Sequence, residues 1–230
     1  MAASPVEPSP DASIAPASIL SRLKLETRPG HEAVEQALDL MCASLTREGY
    51  ERRLQQFFGF YAPLEKALGG RLEERATTGE ASSLSLAPAV RSALALRLDK
   101  TARLRHDLRG LGVKPEDLRL CRDLPPLTTQ AEVLGCLYVI EGATLGGRMI
   151  GRHIEATLGI TAAAAGSFFG GYGADTGSMW QGMRQLLLGA ATDRPTENAI
   201  VANAITTFNC LRGWCEAMGN HTETRTSRHA

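Results

Sequence analysis

Among the five histidines of this 230-residue chain, only His31 stands where it could serve as a metal ligand. Lys24 lies seven residues before it, Thr27 four before and Glu35 four after. On a helix that stays regular through Pro29 these spacings bring all four to one face. A neutral imidazole can ligate through one ring nitrogen while Glu35 or a water holds the other and sets the tautomer. The plainer alternative is a core histidine satisfied by Glu35. The other histidines are worse placed: His221 and His229 fall in a polar C-terminal stretch, and His153 sits with Arg148, Arg152 and Glu155 on a half-helix that reads as solvent-facing. His106 shares a helix side with Lys100, Arg103, Arg105 and Arg109, which is either a docking face for an acidic partner or a solvated face.

The second unusual stretch runs from Tyr138 to Gly147. It lies in an apolar, proline-free run from Val133 to Ile154 that predicts one long helix, yet glycines occupy positions 135, 142, 146, 147 and 151. Each costs about 1 kcal/mol against alanine in a helix interior, so about 5 kcal/mol of propensity is given up. At about 100° per residue, Gly135, Gly142 and Gly146 fall within about 40° of one another. That strip of bare backbone admits either a neighbouring helix or a flat ligand. Gly147 and Gly151 point elsewhere, which predicts a kink or a packing contact.

Other chemistries lack their residues. There are no paired Glu-x-x-His motifs for a di-iron bundle and no His/Cys register for zinc. No G-x-S-x-G elbow is present, although a nucleophile, histidine and acid brought together in space stay open. The cluster Gly170, Gly171, Tyr172, Gly173 has neither a preceding strand nor a following lysine, so it is not a phosphate loop. One axial histidine and a helix with a bare strip fit a planar cofactor, ligated on one side and covered by backbone on the other, as in a haem pocket. The rival is a non-haem bundle whose glycines serve tight helix packing.

The elements that would position these residues are all helical. Ser18 can cap a first helix, interrupted or kinked at Pro29-Gly30, with helical pattern resuming from His31 to about Ala43. Thr46 caps a helix carrying Tyr50, Leu54, Phe57, Phe58, Tyr61, Leu64 and Leu68 and ending at Gly69-Gly70. One helix is expected from Pro88 to Gly110, the glycine-studded helix from Thr128, and two more at Trp180–Leu188 and Glu197–Met218. No useful segment alternates with period two. The expected class is all-α, a single compact domain of seven or eight helices over 18–218, with a disordered N-terminal tail (1–17) and a flexible C-terminal tail (219–230).

Composition narrows the partners. Lysine plus arginine and aspartate plus glutamate both number 25, so nothing favours nucleic acid or an anionic membrane surface. The five scattered cysteines make no C-x-x-C pair, which points to a reducing cytoplasm. The N-terminal stretch has no signal-peptide pattern, and Glu141, Arg148 and Arg152 argue against a membrane span.

Three motifs then carry a resemblance: Leu23, Lys24, Thr27, His31 and Glu35; Tyr61, Leu64 and Glu65; and Tyr138, Glu141, Gly142, Leu145, Gly146 and Gly147. In this order, over residues 19 to 216, they resemble the haem oxygenases, most of all the bacterial biliverdin-producing type associated with bacteriophytochromes. The resemblance implies a helical domain with haem b, cofactor and substrate at once, held between a proximal and a distal helix. It implies oxidative cleavage to biliverdin, CO and ferrous iron, with O2 and an external electron donor, a reductase or ferredoxin, and a bacteriophytochrome as a product acceptor. His31 matches the proximal iron ligand, Lys24 and Tyr138 match propionate-binding positions, and Gly142 and Gly146 match the distal glycines. Thr27 and Glu35 support the proximal side, and Phe208 lines the pocket from the last helix. Where many animal-type members carry a distal aspartate this chain has Ala143, so a proton relay would run through backbone and ordered water, aided by Thr144. That departure keeps open a haem carrier or sensor of the same fold that does not degrade its ligand.

Overall fold

The computed structural model describes residues 18–73 and 85–226, with side chains through residue 219. The expected N-terminal tail, the Ser/Thr-rich segment around 77–84 and the last residues lie outside that description. The described residues form nine α-helices and no strand. They are α1 (Ile19–Glu26), α2 (Arg28–Leu38), α3 (Arg47–Glu73), α4 (Pro88–Ala95), α5 (Lys100–Gly110), α6 (Gln130–Leu158), α7 (Ser167–Gly170), α8 (Thr176–Ala190) and α9 (Arg194–Thr226). The all-helical class is as the periodicity predicts.

Local chemistry sets most helix ends. The Ser18 hydroxyl accepts from Ser21 N–H at 3.3 Å and opens α1, and Thr46 Oγ1 accepts from Gly49 N–H at 3.0 Å to open α3. A capping box starts α6: Thr129 Oγ1 accepts from Glu132 N–H, and the Glu132 carboxylate accepts from Thr129 N–H at 2.9 Å. Gly159, at φ 68°, ends that helix.

The proximal segment is two helices, not one regular one. Thr27 is the C-cap of one and the N-cap of the next, with Thr27 N–H donating to Leu23 O and His31 N–H donating to Thr27 O. Pro29 sits in the first turn of α2, where a missing N–H is harmless. Asp39, at φ 42°, ends α2 earlier than the sequence pattern suggests, whereas α3 runs on through Gly69 and Gly70 to Glu73.

The expected helix from Pro88 to Gly110 is also two, α4 and α5, with a turn at 96–99. The Glu65 carboxylate on α3 accepts from Lys100 N–H at 2.8 Å and Thr101 N–H at 2.9 Å, so it caps a new helix start inside what local pattern reads as one run.

The core lies between α3, α6 and α9. The α3 stripe of Tyr50, Leu54, Phe57, Phe58, Tyr61, Leu64 and Leu68 is buried throughout. Helix α6 packs along α9, and Gly135 makes that crossing close: a Cβ there would lie 2.4 Å from Ile200 O. By length and composition α6 could cross a membrane, but half of its most apolar window is buried inside the fold, including Glu141 with its charged partners. It is the central helix of the domain.

Candidate functional site

Helices α2 and α6 both pack on α9. Two ties join the chain around α2 to α6. At one end the Thr27 hydroxyl lies beside the Tyr138 phenol. Thr27 Oγ1 itself donates to Leu23 O at 2.7 Å. At the other end His153 Nε2 lies 3.2 Å from Cys42 O, in the segment after α2. His153 is thereby half-buried and engaged, rather than solvent-facing as its neighbours suggest.

Along α6, Gly142 and Gly146 fall between the two tied positions. Cβ atoms built on Gly142 and Gly146 would meet nothing within 4 Å. Leu145 and Met149, on a helix otherwise central to the core, are 46% and 59% exposed. On α2 the His31 side chain is 53% exposed. His31 is therefore not a core histidine.

The imidazole is nonetheless held. Its Nδ1 lies 3.4 Å from Glu35 Oε2, and Phe208 on α9 meets the ring edge-on with centroids 5.8 Å apart. Among the described residues none bonds its Nε2. A Cβ on Gly30 would lie 2.9 Å from Phe208 Cβ, so the neighbouring glycine lets α2 sit directly on α9. Lys24, His31 and Glu35 are exposed while Thr27 is 4% exposed and turned inward to Tyr138. Thr27 thus differs from the other three in exposure, while the i→i−4 bonds Thr27 N–H to Leu23 O and His31 N–H to Thr27 O carry the helical path across it. Tyr138 also packs on Trp180 at 5.9 Å. Burial raises the Tyr138 phenol above its ordinary value and outweighs the opposing Thr27 hydrogen bond, so it stays a protonated donor.

The glycines of α6 divide into three sets. Gly135 serves the crossing with α9; Gly142 and Gly146 border open space; Gly147 and Gly151 take the packing alternative, since Cβ atoms there would lie 2.8 Å from Phe169 O and 3.6 Å from Phe169 Cβ. Thr144 Oγ1 donates to Ile140 O at 3.1 Å.

Glu141 and Glu65, which the motifs include without a role, turn out to be structural anchors. Glu141 Oε2 accepts from Arg97 Nε at 3.2 Å, and Oε1 accepts from Lys100 Nζ at 2.8 Å and Tyr172 O–H at 2.7 Å. Lys100 thus leaves the expected basic face. Arg103 pairs with Asp99, Arg109 with Glu116, and Arg105 lies over the Phe58 ring. What remains is a largely neutralised, solvated surface. Nothing in local sequence marks Lys100 as buried; only its spacing from Glu65 and Glu141 in the fold does.

A separate apolar groove of about 690 Å3 lies between α4 and α8, bordered by Val90, Ala93, Leu96, Met179 and Leu186, and none of the predicted site residues lines it. The buried thiols of Cys136 and Cys215 are pushed up to about 12 by burial and stay protonated. No cluster of three or more His, Cys, Asp or Glu suited to a metal ion occurs among the described residues. A metal site with His31 as its single protein ligand would need a group that brings the rest of the coordination sphere with it, as iron held in a macrocycle does. The exposed His31, the open backbone at Gly142 and Gly146 and the bare apolar side chains Leu145 and Met149 fit such a flat, mostly apolar group.

The family model described as Heme oxygenase matches residues 17–217. Among solved structures, the chain is similar to the heme oxygenase of Neisseria meningitidis, known in NO- and CO-bound forms, with 17% identity, a TM-score of 0.66, and 87% of this chain and 92% of that one covered. It is also similar to the heme oxygenase of Leptospira interrogans, with 19% identity, a TM-score of 0.63, and 86% and 98% covered. A search of curated proteins found no match.

Proposed function

We propose that this chain, which belongs to the haem oxygenase family, binds haem in the slot between α2 and α6 and opens its ring to biliverdin. The single observation that carries this reading is the open space at Gly142 and Gly146, placed between the two ties that join α6 to the chain around an exposed His31.

When bound, haem would supply both the oxygen-activating iron and the carbon skeleton that is cleaved, with electrons from an external reductase or ferredoxin and release of CO and ferrous iron. His31 would hold the iron, with Glu35 beside Nδ1 fixing the tautomer that leaves Nε2 as ligand. Phe208 limits rotation of the imidazole from its edge. Lys24 and Tyr138 would meet the propionates, the lysine as a charge and the phenol as a hydrogen-bond donor, with Thr27 orienting the phenol. The bare backbone of Gly142 and Gly146 would lie over the opposite side and exclude bulk water. With Ala143 offering no carboxylate and the Thr144 hydroxyl engaged by Ile140 O, any proton delivered there would pass through ordered water and backbone groups. The reading extends to a cytoplasmic enzyme of the biliverdin-producing, bacteriophytochrome-associated type.

The test is to add hemin and then a reductant with oxygen. A Soret shift lost in His31→Ala, followed by decay of that band and growth of long-wavelength biliverdin absorption, is expected. A Soret shift with a stable ferrous-oxy spectrum identifies a haem carrier or sensor instead, and no shift at all rejects the haem site.

A further inference from the structure

The glycines that open α6 to a ligand also weaken it. Four of them fall between positions 142 and 151, giving up about 4 kcal/mol of helix propensity, so the path of this segment is not set by its own sequence. One side of it meets nothing at Gly142 and Gly146. Whatever fixes its position acts from the other side.

On that side, Glu141, Thr144, Gly147 and Gly151 meet the segment 167–173. Tyr172 donates to Glu141 at 2.7 Å. Gly171, at φ 52°, lies so close to Thr144 that a Cβ would be 2.7 Å from its Cγ2, and Phe169 fills the space left by Gly147 and Gly151. This segment is itself fastened: Asp107 on α5, fully buried, accepts from Ser167 N–H at 2.9 Å and Phe168 N–H at 2.8 Å. Phe168 and Phe169 pack against Phe57 at 5.1 and 5.9 Å. The Glu141 carboxylate, 1% exposed, joins this brace to the α4–α5 turn through Arg97 and Lys100. Lys100 Nζ also lies 3.2 Å from the Tyr172 oxygen and 5.2 Å from its ring centroid.

We propose that Glu141 is a positioning residue for the distal wall: anchored by Arg97, Lys100 and Tyr172, it sets the register and height of residues 141–151, and so of the bare backbone at Gly142 and Gly146. An ion pair suits the task better than apolar packing because its geometry is specific. Both carboxylate oxygens have named partners, so a shift of α6 along its axis breaks charge-assisted bonds in a buried site, where no water replaces them cheaply. The Tyr172 phenol remains a donor across the working pH range, because burial and the neighbouring carboxylate both push it well above its ordinary value. The consequence for ring opening rests on the haem oxygenase reading: the wall that Glu141 positions would determine how the ligand's reacting edge is covered.

Glu141→Ala strands two buried cations and is prone to unfold, so the decisive variant is Tyr172→Phe, which keeps the ring beside Lys100 and removes one bond to the anchor. Hydrogen exchange on the haem-free protein reads the brace directly. Amides of 142–151 are expected to exchange about tenfold faster in Tyr172→Phe, with those of 131–138 unchanged. Unchanged exchange in 142–151, or acceleration spread evenly over the chain, overturns the proposal. In the hemin-loaded protein with reductant and oxygen, the variant is expected to keep wild-type hemin affinity and alter the ratio of biliverdin isomers; an unaltered ratio overturns the positioning role. Failure of wild-type protein to bind hemin rejects the haem reading, and the exchange pattern then decides the brace alone.

Discussion

Gly30 and Phe208 touch where α2 crosses α9: a Cβ on Gly30 would lie 2.9 Å from Phe208 Cβ, and the same phenyl ring meets His31 edge-on at 5.8 Å. The glycine therefore sets how far the iron-ligand candidate stands from the last helix. Gly30→Ala is expected to push α2 outward and cost about 1–3 kcal/mol, seen as a lower denaturant midpoint. Hemin affinity should fall together with it, because the imidazole moves. A variant with unchanged hemin titration would separate Gly30 from the site.

Two sets of glycines on one helix should respond with opposite sign. Gly142→Ala adds a methyl where nothing lies within 4 Å, so haem-free stability should rise by up to about 1 kcal/mol from helix propensity. The same change at Gly135 meets Ile200 O and Ala204 N on α9 and should cost about 1–3 kcal/mol. Larger residues at the open positions, Gly142→Leu or Gly146→Val, should leave the melt near that of wild type and abolish the hemin-induced Soret shift. Thermal melts paired with hemin titration check both halves.

The start of α6 carries a pH signature. Burial alone would raise the Glu132 carboxyl, but the Thr128 hydroxyl and the Thr128 and Thr129 N–H groups outweigh it and hold the group below its ordinary range. A depressed folded-state value means its contribution is complete above the ordinary carboxylate range and is lost as pH falls through the depressed value. Glu132→Gln should therefore destabilise at neutral pH and converge with wild type in acid. Urea melts at pH 7 and pH 3 measure the convergence; an equal gap at both would rule it out.

Gly171 adopts φ 52°, and a Cβ built there would lie 2.7 Å from Thr144 Cγ2. Gly171→Ala adds backbone strain of about 1–3 kcal/mol and a clash with the wall segment of α6. A lower melting temperature is expected, with faster exchange at residues 142–151 than at 131–138. Loss of stability without that local pattern would place the strain elsewhere.

Much of the architecture was legible in the residues themselves. The spacing of Tyr50, Leu54, Phe57, Tyr61, Leu64 and Leu68 marks a buried helix face, because a period near 3.6 can be satisfied in only one way. Ser18 and Thr46 mark helix starts, since the bonds they make are local; α6, expected from Thr128, starts behind the Thr129–Glu132 capping box instead. The break of 88–110 into two helices was not legible: its cause is the Glu65 carboxylate on α3, distant in sequence, which caps Lys100 and Thr101. Glu141 belongs to a sequence motif, but its partners at 97, 100 and 172 come from segments that only the fold brings together.

By itself, then, the sequence determined the helical class and a central helix with too many glycines, and it singled out His31 as the candidate ligand. Periodicity fixes the direction in which each glycine points and nothing about what lies there. Only the tertiary structure decided that Gly135 meets a helix, Gly147 and Gly151 meet Phe169, and Gly142 and Gly146 meet open space. The reason is physical: helix propensity and capping act within a few residues, whereas a cavity is defined by the absence of atoms from every other part of the chain.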